Sequence, residues 1–146
     1  MCSSDLALVM AAAVADFRPT DPAADKIKKE GGVPEIRLEH TPDILKAVAQ
    51  FKAEQGWPRL TVGFAAESQQ LLENAAAKLH AKRLDLIVAN DISAQDAGFA
   101  VDDNRVTLLH ADGFSEALPL MSKDQVAAEI MRRILTLLVQ TQPLEP

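Results

Sequence analysis

The stretch that decides the fold runs from Leu6 to Lys29 and reads LALVMAAAVADFRPTDPAADKIKK. Its first part, Leu6 to Val14, is a continuous apolar run, which predicts a strand buried on both faces of a sheet. Asp16 follows this strand. Pro19 and Pro22 then predict that regular structure stops, because proline lacks a backbone donor and restricts the residue before it.

A basic loop completes this stretch, with Lys26, Lys28 and Lys29 close together. In an open α/β sheet, ligands bind beyond the carboxyl ends of the strands. A buried strand, an acidic residue at its carboxyl end and a basic loop therefore predict an anionic ligand at that edge. A lysine trio of this kind is equally typical of a solvated charge run.

Composition narrows the class of protein. The 146 residues, 48% of them hydrophobic, suit a single soluble domain. The net charge of −6 argues against a general nucleic-acid binder. The single cysteine, Cys2, excludes an internal disulfide framework, and no apolar run is long enough to span a membrane. We therefore expect a cytoplasmic protein, and a buried strand so close to residue 1 suggests that its natural front end is missing.

The rest of the sequence alternates strand and helix patterns. We expect strands at 35–39, 60–65, 84–89, 105–110 and 114–118, and helices starting at Thr41, Glu67 and Ser122. The helix after Thr41 should bury Ile44, Leu45, Val48 and Phe51, and Ser122 with Gln125 predicts a capping box. The pattern predicts an α/β, Rossmann-like three-layer fold with a mostly parallel sheet.

Candidate ligand-binding residues fall at the predicted carboxyl edge of this sheet. They are Asp16, the segment Thr41-Pro42-Asp43, Phe64 and Asn90. Asp16 is as often a turn residue, and an aromatic residue such as Phe64 is more often part of the core than a platform for a base. Gly63 predicts close approach of another backbone or a ligand.

Lys78 and Lys82 are separated by one helical turn, so both ammonium groups lie on one face and repel each other. An anionic ligand would offset that repulsion, although two solvated lysines explain the spacing as well. The three histidines and the one cysteine have no metal-site spacing, so we predict no structural zinc. Neither a Walker-type glycine loop nor a G-x-G-x-x-G motif is present.

Several motifs occur together and in order: AAAVADFRP at 11–19, KIKK at 26–29, TPDIL at 41–45, VGFAAE at 62–67, K-x-x-x-K at 78–82, LDLIVAND at 84–91 and SKDQVAAEI at 122–130. Together they resemble phosphopantothenate–cysteine ligase, the synthetase half of the bifunctional coenzyme A biosynthesis flavoprotein. The resemblance extends from about Asp5 to the last helix.

This resemblance implies a two-step ligation. CTP would convert the carboxylate of 4′-phosphopantothenate to an acyl cytidylate with release of pyrophosphate, and the amine of L-cysteine would then displace CMP. Mg²⁺ would accompany CTP. The residues that the resemblance places on the nucleotide are Asp16, Lys26, Pro42, Asp43, Ile44, Leu45, Phe64, Lys78 and Lys82, with Lys26 also in a catalytic role.

The sequence departs from the ligase pattern at its front, where the glycine-containing strand-turn-helix and the Asn- and Ser-rich segment have no match. We therefore expect residues 1–146 to be the C-terminal two thirds of the ligase domain, with its first strand–helix units missing. The resemblance places FMN only in an absent upstream decarboxylase domain, and it implies a homodimer. The alternatives are a non-catalytic Rossmann-like nucleotide-binding or interaction module, an inactive fragment and, less favoured, an NAD-dependent dehydrogenase-like domain.

Overall fold

The structure, a computed structural model, describes residues 6–28, 32–67, 70–91 and 103–141. The chain divides into two compact units. The sheet unit comprises residues 1–11 and 45–146, and the ribbon unit comprises residues 12–44.

The sheet unit is built on a five-stranded mixed sheet. Its strands are β1 (Ala7–Met10), β4 (Leu60–Glu67), β5 (Leu86–Asp91), β7 (Val106–His110) and β8 (Ser115–Ala117), in the order β1-β4-β5-β7-β8. β1, β4 and β5 pair in parallel, and β7 is antiparallel to both of its neighbours. All strands except β7 therefore run in one direction, as the sequence predicts. β6 (Asp103–Asn104) and β9 (Met121–Ser122) form a separate antiparallel pair.

Three helices cover the two faces of this sheet: α1 (Ile44–Gln55), α2 (Leu71–Ala81) and α3 (Lys123–Gln140). Alternate residues of the strands separate into two buried clusters, because successive side chains of a strand point to opposite faces. Val62, Val88 and Val106 pack with α3, whereas Ala65, Ile87 and Leu109 pack with α1 and α2. The result is a three-layer α/β arrangement of the Rossmann-like kind. Within the described residues, no helix is both long and apolar enough to cross a membrane.

The ribbon unit contains a short antiparallel pair, β2 (Phe17–Pro19) and β3 (Leu38–His40). The rings of Phe17 and His40 lie 4.7 Å apart, and Arg18 forms an ion pair with Glu39 at 2.7 Å. Regular structure therefore continues through Pro19, contrary to the prediction, because an edge position of a two-stranded ribbon does not require a donor from every residue. The strand predicted at 35–39 is exposed and shorter than expected.

The first strand also differs from the prediction. β1 ends at Met10, and Val9 is 46% exposed, so the strand is not buried on both faces. Its position explains this difference, because β1 lies at the edge of the sheet and pairs only with β4 among the described strands. An apolar run in the sequence does not distinguish an edge strand from a central one.

The predicted helices are present, with two corrections. In α1 only Leu45 is buried, whereas Ile44 and Phe51 are 43% and 41% exposed. α2 starts at Leu71, later than the predicted Glu67, because β4 continues to that residue. The capping box of α3 is confirmed, since the Ser122 side chain accepts from the Gln125 amide and the Gln125 side chain accepts from the Ser122 amide.

Gly63 of β4 faces a side chain rather than a ligand. A Cβ atom placed on Gly63 would lie 2.6 Å from Cδ1 of Leu84. Leu84 is itself 3% exposed within the core cluster of α1 and α2, so it has little room to move. The close approach predicted at this glycine is present, but its physical reason is core packing.

We predict that Gly63→Ala lowers the free energy of unfolding by about 1–3 kcal/mol, because the added methyl group overpacks this contact. Leu84→Ala alone should destabilise through a cavity. The double variant should lose less than the sum of the two single changes, because each change relieves the other. Urea denaturation of the variants measures this coupling, and strict additivity would contradict the contact.

An ion pair ties α3 to the far edge of the sheet. Arg133 donates to both carboxylate oxygens of Glu116 on β8, at 2.5 Å and 2.9 Å. These hydrogen bonds lower the pKa of Glu116 from its ordinary value of 4.5, an effect that partial burial opposes. A group with a lowered pKa in the folded state stabilises the fold above its ordinary pKa, and this contribution is lost as the pH falls through the folded-state value.

We predict that Glu116→Gln lowers stability at pH 7 by up to about 1 kcal/mol, because the pair is partly exposed. The difference between wild type and variant should shrink as the pH is lowered below 4.5, the ordinary value for this carboxyl. Chemical denaturation at pH 7 and at acidic pH measures it. Glu73→Gln on the exposed face of α2 is the control, and a difference independent of pH would contradict the assignment.

Candidate functional site at the carboxyl ends of β1, β4 and β5

The backbone carbonyl of Phe64 on β4 lies just beyond the point where the neighbouring strand β1 ends. The Thr61 carbonyl accepts from the amide of Asp85, so it points toward β5. Backbone carbonyls along a strand alternate in direction, and the carbonyl of Phe64, three residues later, therefore points toward β1. The pairing of β1 with β4 ends where Met10 lies opposite Gly63. In the described part of the chain, β1 therefore provides no donor for the Phe64 carbonyl.

Lys78 fills this gap with its ammonium group. Its Nζ atom donates to the Phe64 carbonyl at 2.7 Å from a half-buried position on α2. An ammonium group has three donors, so this bond leaves capacity for an anionic ligand at the same place. The local structure thus fixes a positive charge between the carboxyl ends of β1 and β4.

The Phe64 side chain points to the other face of the sheet. It is partly buried and packs against the cluster that β4 and β5 form with α3. The ring is therefore largely a core residue, although part of it remains accessible to solvent. A flat ligand would contact only that accessible part.

Asn90 is the next polar residue on this edge. It lies near the carboxyl end of β5, two residues beyond Val88, which pairs with Phe64. Its Oδ1 atom is shielded from solvent and has no hydrogen-bond partner within the described residues. An unpaired buried carbonyl costs about 1–3 kcal/mol, so this atom is suited to accept a donor from a ligand.

Strand geometry gives the distance between the backbones of Phe64 and Asn90. Neighbouring strands lie about 4.8 Å apart and rise about 3.3 Å per residue, which places the Cα atoms of Phe64 and Asn90 about 8 Å apart. A cationic group and a hydrogen-bond acceptor thus lie on the same edge of one sheet. Such a pair can bind an anionic group and a neighbouring N–H group of one small molecule.

Lys82 is the C-cap residue of α2. It follows the last turn of α2, four residues before β5 begins at Leu86, so its backbone is nearer the amino end of β5 than Asn90 is. The sequence places Lys78 and Lys82 on one edge because they share a helical face. Lys78, in the last turn of α2, donates to the Phe64 carbonyl, and the role of Lys82 on a nucleotide stays a prediction.

The other predicted site residues belong mainly to the ribbon unit, namely Asp16, Lys26, Pro42, Asp43 and Ile44. Asp16 is exposed, and its carbonyl accepts from the Thr41 amide at 3.0 Å. The Thr41 hydroxyl donates to the Ala15 carbonyl at 2.5 Å, so Thr41 joins the ends of the ribbon. Lys26 is exposed, and Lys29 lies outside the described residues.

Leu45 is part of the sheet unit and is 9% exposed in the core cluster of α1 and α2. Its side chain is therefore committed to packing, and only its backbone is suited to touch a ligand. The roles assigned to these residues stay predictions.

The sequence patterns do not mark Asn104 as a candidate for a ligand site. The structure shows that its Oδ1 atom, like that of Asn90, is shielded from solvent and unpaired within the described residues. No local pattern marks such an atom, because its surroundings come from strands distant in sequence. In the same residues, no group of three or more His, Cys, Asp or Glu side chains is placed to hold a metal ion.

The fold and this edge define an α/β protein of the Rossmann-like class, with a candidate small-molecule site beyond the carboxyl ends of its parallel strands. Comparison with known proteins then gives the family. The chain belongs to the family described as the DNA/pantothenate metabolism flavoprotein C-terminal domain, whose model matches residues 2–138.

The chain is similar to several proteins of coenzyme A biosynthesis. It is 46% identical over 139 residues to the coenzyme A biosynthesis bifunctional protein CoaBC of Bacillus subtilis, covering 95% of this chain and 33% of that protein. It is 40% identical over 129 residues to a cysteine/cysteine sulfinic acid decarboxylase of an unknown prokaryotic organism, covering 88% of this chain and 35% of that protein. The chain thus spans about a third of the length of these relatives.

A solved structure confirms the fold. The C-terminal domain of a coenzyme A biosynthesis bifunctional protein CoaBC matches with a TM-score of 0.68 and 36% sequence identity, covering 92% of this chain and 55% of that chain. The predicted α/β, Rossmann-like fold is therefore confirmed at the level of a mixed sheet flanked by helices.

These comparisons contradict the assignment to phosphopantothenate–cysteine ligase. The matched family is described as part of a flavoprotein, and one relative is named a decarboxylase. Neither the family description nor the names of these relatives mention a ligase, CTP or Mg²⁺. The assignment is therefore corrected to the flavoprotein family. The predicted ligation reaction and the predicted ligands CTP and Mg²⁺ are wrong, and so is the prediction that FMN binds only in an absent domain. The non-catalytic module and the inactive fragment fit these names no better.

Proposed function

We propose that this chain is a domain of a bifunctional flavoprotein of coenzyme A biosynthesis, and that its carboxyl edge binds a phosphate-bearing mononucleotide. The proposal rests mainly on the hydrogen bond from the Lys78 ammonium group to the Phe64 carbonyl, just beyond the end of β1. This bond fixes a positive charge at the edge where open α/β sheets bind ligands.

Two further observations support a nucleotide rather than a simple anion. The Phe64 ring is partly accessible on the face of β4 opposite α2, and Asn90, whose side-chain carbonyl is unpaired within the described residues, has its Cα atom about 8 Å from that of Phe64. A phosphate, a ring and a ring N–H group are found together in a mononucleotide. The residues fit FMN in this respect, and the description of the family as a flavoprotein makes FMN the first ligand to test.

We predict that Lys78→Met weakens mononucleotide binding about tenfold or more, because a hydrogen bond to a charged group contributes about 1.5–3 kcal/mol. Isothermal titration at low ionic strength with FMN, with a panel of nucleoside phosphates and with inorganic pyrophosphate measures the loss. Lys78→Arg keeps the charge and should retain part of the affinity.

The matched control is Arg132→Met, which removes one positive charge from an exposed position on α3. This control should leave affinity unchanged. Equal losses in Lys78→Met and Arg132→Met would show that only the overall charge of the protein matters. Failure of the wild-type chain to bind any mononucleotide in the panel would refute the proposal.

A second candidate function follows from the relative that is named a decarboxylase of cysteine and cysteine sulfinic acid. The Lys78 ammonium could equally bind the carboxylate of such an acid. Assays of CO₂ release by a full-length protein carrying this domain distinguish the two candidates. A raised KM in Lys78→Met would favour a carboxylate substrate, whereas unchanged decarboxylation with weakened nucleotide binding would favour the nucleotide site.

A further inference from the structure

Asn104 lies close to Asn90, although 14 positions separate them in the sequence. Asn90 pairs across the sheet with Val106, and Asn104 precedes Val106 by two residues. Diagonal neighbours of this kind on antiparallel strands have Cα atoms about 7–8 Å apart. The pairing of Asn104 with Met121 places it beside the start of α3.

Asn90 lies on the face of the sheet that α3 covers, and Asn104 lies in the β6–β9 pair beside the start of α3. Val88 and Val106 are members of the cluster that packs on α3, and side chains two residues apart along a strand point to the same side. Asn90 follows Val88 by two residues on β5 and therefore shares this face. The Phe64 side chain also packs against this cluster.

The two carboxamide oxygens share an unusual state. Each is shielded from solvent and lacks a hydrogen-bond partner among the residues that the structure describes. The large majority of buried polar side-chain atoms in proteins are paired, and an unpaired one requires an explanation. The two residues are neighbours near the carboxyl edge, so donors from outside the described residues can serve both oxygens.

We propose that Asn104 is a specificity-determining residue, whose side-chain carbonyl acts together with that of Asn90 to accept hydrogen bonds from N–H groups on the ring of a bound nucleotide. This proposal rests on the nucleotide site proposed above and deepens it. The two oxygens carry no formal charge, which favours an N–H donor over a divalent cation. Lys78 provides charge for the phosphate, and the asparagines distinguish one ring from another.

The stability of the ligand-free protein provides a first test. Replacing an unpaired buried carbonyl by an apolar group of similar shape is neutral or stabilising, whereas loss of a structural hydrogen bond is destabilising. We predict that Asn104→Leu leaves the thermal midpoint of the free protein unchanged or raises it. A clear fall in that midpoint, absent from the exposed-site control Asn74→Leu, would overturn the proposal.

Ligand selectivity provides the second test. The probes are FMN and the common nucleoside 5′-monophosphates, whose rings differ in their N–H donors, and ribose 5-phosphate, which has the phosphate but no ring. Asn104→Leu should weaken binding of the ring-bearing ligands about tenfold and leave ribose 5-phosphate unchanged. Asn104→Asp keeps an acceptor oxygen and should retain more of the affinity for the ring-bearing ligands than Asn104→Leu does.

The outcomes separate the two proposals. Ring-bearing ligands that bind wild type in a Lys78-dependent manner, with no change in Asn104→Leu, would overturn the role of Asn104 and leave the nucleotide site standing. Equal weakening of ribose 5-phosphate and of the ring-bearing ligands would also overturn it, since a ring contact cannot affect the ringless probe. If wild type binds none of the probes, both proposals fail together.

Discussion

The parallel pairing of β4 with β5 is the constraint on which the sheet unit depends. Leu60, Val62, Leu86, Ile87 and Val88 are at most 1% exposed, and they contribute to both buried clusters. Because the two strands bury both faces, helices must cover the sheet on each side, and α3 packs opposite α1 and α2. The Gly63–Leu84 contact belongs to the same packing and leaves no room for a larger side chain on that face.

The candidate site results from the point where this packing stops. β1 pairs with β4 over only the first part of β4, and β5 reaches further than β1 does. The uneven ends leave the Phe64 carbonyl, at the carboxyl edge, without a donor from β1. Lys78 satisfies this carbonyl and brings a positive charge to the edge in doing so. The chemistry of the site is thus a consequence of strand lengths.

The sequence motifs indicated the correct broad family but the wrong activity within it. The motifs in the sequence indicated the coenzyme A biosynthesis flavoprotein, and the family comparison agrees with that broader class. The choice of one activity within a bifunctional protein went further than the motifs allowed, and the comparisons contradicted it. Chain length matters here, because this sequence spans about a third of its curated relatives and their activities are those of longer proteins.

The sequence by itself determined the elements whose cause is local. The apolar runs of β4 and β5, the Ser122–Gln125 capping box and the alternation of strands and helices were all predictable, because each depends on residues close together in the chain. Tertiary structure alone decided that β1 is an exposed edge strand, that β2 and β3 pair with each other, and that Lys78 rather than Lys82 reaches the Phe64 carbonyl. It also brought Asn90 and Asn104 close together, because Asn90 pairs with Val106. These features depend on which strands become neighbours and where each one ends, and contacts between distant segments determine both.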